Sequence, residues 1–336
     1  MLEIPVLLVV IVLVALIFDF TNGAHDCANA IATVVSTKVL SPRTAVAMAA
    51  VLNLFGAMLG EEVAHTLGQG IVNTDMVAGS QALVLAALIG AIIWNLITWH
   101  YGLPSSSSHA LIGGLMGAAI THAGFSTLNA MSIVKKILMP LVLSPLAGFA
   151  VSYACMTLLM LLFWRTNRRT VTRSFEKLQI VSSAFMATSH GLNDAQKTMG
   201  VITLALFLFH QIDTIHVPLW VKLSCALAMA MGTALGGWKI VKTMGHKIFK
   251  LEPVHGFAAE TSAAVVITGA SLMGAPISTT HTITACVFGV GATKRLSAVR
   301  WGIAGNLVVA WILTIPAAAT MASISFLILE LLGIAD

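Results

Sequence analysis

Between Ile137 and Trp164 the chain carries no charged residue, and uncharged apolar stretches of this kind recur along its whole length. A hydrocarbon core is crossed by about 20 consecutive apolar residues in helical form, so this stretch alone is long enough to span a bilayer. The length leaves room for roughly ten to twelve hydrophobic segments. A composition of 58% hydrophobic and 9% charged residues excludes a soluble globular domain, in which about a quarter of residues are charged. Two Tyr, 27 Gly and long Leu/Ala/Val runs fit packed helices and not the alternating strands of a membrane barrel. The expected fold class is all-α, in a polytopic integral membrane protein.

In a soluble domain a net charge of +5 would suggest nucleic acid, but here position along the chain decides, and no nucleic-acid partner is expected. Sixteen of the eighteen Lys and Arg fall in five short stretches, the densest being Arg165, Arg168, Arg169, Arg173 and Lys177. Short basic loops mark the cytoplasmic side. The stretch from Ile137 to Trp164 has basic clusters at both ends, and the larger one fixes the orientation. This reading gives a multi-pass protein of the cell (inner) membrane with residues 165–177 as a cytoplasmic linker. The linker offers a surface for anionic lipid or a soluble accessory protein, and a homo-oligomer is left open. Cys27, Cys155, Cys225 and Cys286 sit singly in apolar surroundings, so no disulfide framework is expected. The start Met1-Leu2-Glu3 has no basic n-region, which reads as a retained first span.

An internal repeat organises the rest. Asn22-Gly23-Ala24-His25-Asp26-Cys27-Ala28-Asn29 aligns with His190-Gly191-Leu192-Asn193-Asp194-Ala195-Gln196-Lys197 at an offset of 168. Gly102-Leu103-Pro104-Ser105-Ser106-Ser107-Ser108-His109 aligns with Gly274-Ala275-Pro276-Ile277-Ser278-Thr279-Thr280-His281 at an offset of 172. Two polar motifs in the same order at the same interval predict repeat 1 over 1–164 and repeat 2 over 178–336. The spacing leaves parallel and inverted repeats open. Apolar segments beside these motifs, such as 110–121, 178–188, 199–209 and 282–292, are too short to cross alone and predict broken helices and re-entrant hairpins. Such backbone is tolerated at membrane depth only where protein buries it or it lines a cavity. Matched interruptions in two halves are how a transporter binding site shows in sequence.

Asp26 and Asp194 are expected in polar turns, where a carboxylate at membrane depth faces a pathway and pairs with a cation. Asn29 and Lys197 follow three residues later, on the carboxylate's face of a helix. Pro104 with its four serines, and Pro276 with Ser278, Thr279 and Thr280, each open a short helix. A helix N-terminus binds anions and the hydroxyls add donors. His25 and His190 make proton coupling chemically available. His109 and His281 read as hydrogen-bonding core residues, and Glu260 as a cation or proton site. Asp19, Glu61, Glu62 and Asn95 are weaker candidates. An intramembrane serine hydrolase built on a hairpin Ser with His109 or His281 lacks a Gly-x-Ser-x-Gly elbow, and no catalytic residue is assigned.

These motifs resemble the inorganic phosphate transporter family, also called the phosphate permease or Pit family, and the resemblance spans essentially the whole chain. It implies two inverted repeats, a central phosphate site and symport with a cation. By that resemblance Asp26, Asn29, Asp194, Ser106, Ser107, Ser108, Ser278, Thr279 and Thr280 lie at the substrate and ion site, and Lys197, from its spacing to Asp194, joins the expected substrate set. The expected coupling-ion set is His25, Asp26, Asn53, Asn193, Asp194 and Glu260. The sodium-coupled pattern has Asn where this chain has His25, and animal members have Glu at Asn53. Bacterial low-affinity members share the His, the Asn and the Gln-Lys pair, here Gln196-Lys197. The resemblance therefore implies protons, or phosphate carried with a divalent metal, with sodium coupling or another oxyanion such as sulfate as the alternative. No enzymatic cofactor is expected.

Overall fold

In the computed structural model, which describes residues 5–70, 81–214 and 216–334, the regular elements are helices. The first half comprises α1 (Val6–Ser36), α2 (Pro42–Ala57), α3 (Glu62–Gly70), α4 (Gln81–Tyr101), α5 (Ser107–Ala123) and α6 (Met139–Phe163). The second comprises α7 (Arg168–Leu208), α8 (Leu219–Leu235), α9 (Trp238–Lys242), α10 (Pro253–Leu272), α11 (Thr279–Lys294) and α12 (Trp301–Leu331). Residues 1–4, and residues 79–80 of the apolar segment 79–99, lie outside the described residues. By length and composition α1, α4, α6 and α12 can each cross a bilayer among the described helices, and α8 with the helical segment Trp238–Gly245, which includes α9, forms a pair bent by 62°.

The second half repeats the element order of the first. α10 begins 172 residues after α4, and α11 172 residues after α5. Single 3-10 turns, Phe125–Thr127 and Leu296–Ala298, follow α5 and α11. Pro145 inside α6 and Pro316 inside α12 each remove one backbone hydrogen bond at corresponding places.

Two expectations are corrected. The Asp motifs are not turns, because α1 runs unbroken through Asn22–Asn29 and α7 through His190–Lys197. Gly, His and Asn are poor helix formers, yet tertiary packing overrides so small a preference. The apolar segments 178–188 and 199–209 therefore belong to one helix of 41 residues, about 60 Å long. Ten of the residues read as linker, 168–177, are its first turns. The true breaks are at the Pro-hydroxyl motifs, where residues 103–106 and 275–278 are non-helical.

Helices from opposite halves cross at glycines. A Cβ on Gly23 of α1 would lie 2.3 Å from the Met229 carbonyl oxygen of α8, and one on Gly232 of α8 would lie 2.0 Å from that of Phe20. In the matching crossing, Cβ atoms on Gly56 of α2 and Gly191 of α7 would lie 2.1 Å and 2.2 Å from the Thr188 and Asn53 carbonyl oxygens. Small residues let the backbones touch, which is how helices associate in lipid.

The apolar core falls into two clusters. One gathers Leu8 to Phe18 of α1, Leu83 to Ala91 of α4 and Ala195 to Leu208 of α7. The other gathers Cys27 to Val34 of α1, Met186 and Ala187 of α7, and residues of α10 and α11. Between them α1 and α7 carry their polar residues, so a polar seam divides the core at mid-length.

Candidate functional site

Four helices meet in the seam. α1 and α7 run antiparallel, since Asp19 meets Thr198 while the Ser183 hydroxyl donates to the Ala30 carbonyl. α5 and α11 point their N-termini into the crossing. Ser106 and Ser278 cap these helices, each hydroxyl accepting from the backbone N–H of the histidine three residues on. The next hydroxyls face the carboxylates. Ser107 is within donor reach of Asp26 Oδ2 (2.7 Å) and of Asn22 Oδ1 (2.6 Å), while Thr280 donates to Asp26 (3.2 Å) and Thr279 to Asp194 (2.7 Å).

The donors are fixed by their neighbours. Asn29 Nδ2 donates to Thr279 Oγ1 (3.1 Å) and Thr280 Oγ1 (2.9 Å), so each hydroxyl proton is left for a carboxylate. Lys197, 1% exposed, donates to Asp194, to Ser108 Oγ (2.5 Å) and to the Ile277 carbonyl (2.9 Å). It thereby ties the two helix N-termini together. His109 and His281 meet there with ring centroids 4.6 Å apart and planes tilted by 59°, and His281 stacks on Trp311. His25 Nδ1 lies 2.7 Å from Asp26 Oδ1, and its Nε2 lies 3.2 Å from Thr98 Oγ1 on α4.

His190, which the sequence offers with His25 for proton coupling, is oriented by a chain of bonds. The Thr233 hydroxyl donates to the Met229 carbonyl and so must accept from Asn53 Nδ2 (3.0 Å). Asn53 Oδ1 then faces His190 Nδ1 at 3.1 Å and accepts its proton. His190 Nε2 is thereby turned to Asp194 Oδ2 at 2.9 Å, where a bare nitrogen would face a carboxylate lone pair to lone pair. One positive charge, a proton or a cation, resolves that opposition. Asp26, His190 and Asp194 offer ligand atoms all within 4.8 Å of one another.

Glu260 stands apart, on the side of the seam toward the basic end of α7. Its carboxylate accepts from Thr33 (2.5 Å), Gln179 (3.1 Å) and Ser182, a buried cluster whose other members the sequence did not single out. Asn193 turns to α10, donating to Ser271 (2.7 Å). Glu61 pairs with Lys222 at 3.1 Å near the surface, and Glu62 accepts from the Glu61 backbone.

The seam thus sets two helix N-termini and their hydroxyls against a pair of buried carboxylates. A model described as "Phosphate transporter family" matches residues 22–322. The chain belongs to the phosphate transporter family. A Bacillus subtilis protein described as "Probable low-affinity inorganic phosphate transporter" is 45% identical over 328 residues, covering 97% of this chain and 98% of its own. A Rhizobium meliloti protein of the same description is 48% identical over 329 residues, with the same coverage. A solved structure titled "The sodium-dependent phosphate transporter" is similar with a TM-score of 0.90 and 26% identity, over 97% of this chain and 100% of that one. Relatives in the family are named as transporters, not enzymes, and the chain is a multi-pass membrane protein.

Proposed function

We propose that the chain takes up inorganic phosphate by symport with a cation, using a site between two inverted repeats that opens alternately to either side. The observation that carries this is the hold of hydroxyls at two meeting helix N-termini on Asp26 and Asp194. Each hydroxyl has one proton to give. While Thr279 and Thr280 donate to carboxylates, and Ser107 to Asp26 or Asn22, they cannot donate to an oxyanion. A cation on Asp26 and Asp194 releases them, and phosphate then takes the donors together with the first backbone N–H groups of α5 and α11.

Charge makes the coupling obligatory. Asp26, Asp194 and Lys197 leave the centre of the seam formally at −1, and a phosphate dianion would take that to −3 in a buried place. Such a concentration of like charge is prohibitive without compensating cations. Substrate and cation therefore load together. Proton coupling is the favoured form, because imidazole nitrogens occupy two of the positions around the carboxylates, whereas hard metal cations take oxygen ligands. A divalent metal travelling with phosphate would serve the same balance. The sodium-dependent neighbour favours sodium as the second reading. Each net positive charge moved inward gains about 2.3 kcal/mol per 100 mV, enough for more than tenfold accumulation.

Antiparallel α1 and α7, carrying repeat-related motifs, are what inversion requires. The basic ends at 168–177 orient that face to the cytoplasm, so Glu260 lies on the inner side as a further coupling group. Labelled phosphate uptake into proteoliposomes under a proton or a sodium gradient, with and without Mg²⁺ and with excess sulfate, tests the reading. Proton-driven, sulfate-insensitive accumulation is expected. Sodium-only uptake would replace the proton, and absence of accumulation under every gradient would overturn phosphate symport.

A further inference from the structure

Asp19 is a third buried carboxylate on α1, fully enclosed, seven residues before Asp26 on the same helical face and on the opposite side of it from Glu260. Seven residues make two turns, about 10 Å. Its Oδ1 accepts from Thr198 of α7 at 2.9 Å, four residues beyond Asp194. Its Oδ2 has no hydrogen-bond partner, and among the described residues no cation pairs with it. Around it stand Asn22 on its own helix, Asp194 and Lys197 on α7, and Cys225 on α8. Lys197 is committed to Asp194 and the helix N-termini. Asn95, one turn before the Thr98 that His25 meets on α4, is likewise buried with both ends of its amide unpartnered.

A wholly buried carboxylate with one unpartnered oxygen, whose nearest lysine is committed to another acid, is costly unless a cation visits it. Resting on the symport reading above, we infer that Asp19 is an outer waypoint for the coupling cation. A proton or monovalent metal ion binds its free oxygen on the way from the face opposite the basic helix ends to Asp26 and Asp194. The seam then holds acids at three levels, Asp19 outside, the Asp26 and Asp194 pair at the centre and Glu260 inside.

The test is phosphate uptake into proteoliposomes as a function of external pH and, separately, of external Na⁺, beside phosphate–phosphate exchange at saturating cation. Asp19→Asn should raise the cation concentration for half-maximal uptake by about tenfold, one pH unit if the cation is the proton. It should leave exchange at saturating cation intact, and Asp19→Glu should restore the original curve. Thr198→Val removes the donor that favours the ionised carboxylate, so it should shift the curve the other way, toward lower cation demand. This second variant decides the matter if Asp19→Asn does not fold. Curves for both cations that superimpose on the wild type, in either variant that folds, would overturn the waypoint and leave symport standing. A wild-type protein that takes up phosphate with neither cation would overturn both.

Discussion

Lys197 and Asp194 form a buried pair, and removing one partner from such a pair costs about 3–5 kcal/mol because the other charge is left uncompensated. Asp194→Asn should therefore abolish uptake and also lower the thermal midpoint in detergent, whereas Asp194→Asn combined with Lys197→Gln should regain much of the midpoint while remaining inactive. Asp26 behaves differently, since its partners are hydroxyls and His25 and no lysine is stranded. Asp26→Asn should abolish uptake with little change in midpoint, and normal uptake by that variant would remove Asp26 from the coupling site. At Asn53 the prediction is indirect. Asn53→Asp keeps the acceptor for His190 Nδ1 but loses the donor to Thr233 and adds a buried negative charge behind the imidazole, so the cation dependence of uptake should shift before the phosphate KM does.

Close crossings set the geometry of the helices that carry these residues. Gly191→Ala would drive a methyl group into the Asn53 carbonyl, which forces α2 from α7 at a cost of about 1–3 kcal/mol. Gly269→Ala, with nothing within 4 Å of the new atom, should be neutral or slightly stabilising, and thermal unfolding of the two variants side by side checks the pair. The same elements show what was readable in advance. The Pro-hydroxyl motifs announced the helix starts of α5 and α11 because proline and N-cap residues act locally. The Asp motifs were misread as turns because their Gly, His and Asn are judged locally, whereas α1 and α7 stay helical through contacts with α8 and α2 made far along the chain. His190 stands four residues before Asp194, so a helical reading of the motif would have paired them, but its orientation rests on Thr233 and Asn53, 43 and 137 residues away in sequence. Glu260 was visible as an acid before an apolar span, but its companions Thr33, Gln179 and Ser182 are ordinary polar residues until the fold gathers them.

At the scale of the molecule, the polar seam lies between two apolar clusters, and transport moves charge across it. Uptake should quicken when a membrane potential, negative inside, is imposed at constant cation gradient, and potential-independent uptake would mean that cation and phosphate charges cancel in the translocated complex. The paired glycine crossings carry another consequence. α1 is seated on α8 and α2 on α7, so each half supplies the partner surfaces of the other, while the chain between them passes through only a few exposed residues, Trp164 to Asn167. Severed there, the two pieces should each be degraded when made alone, yet made in the same cell they should find each other and restore phosphate uptake, as two interlocking parts whose covalent tie is dispensable.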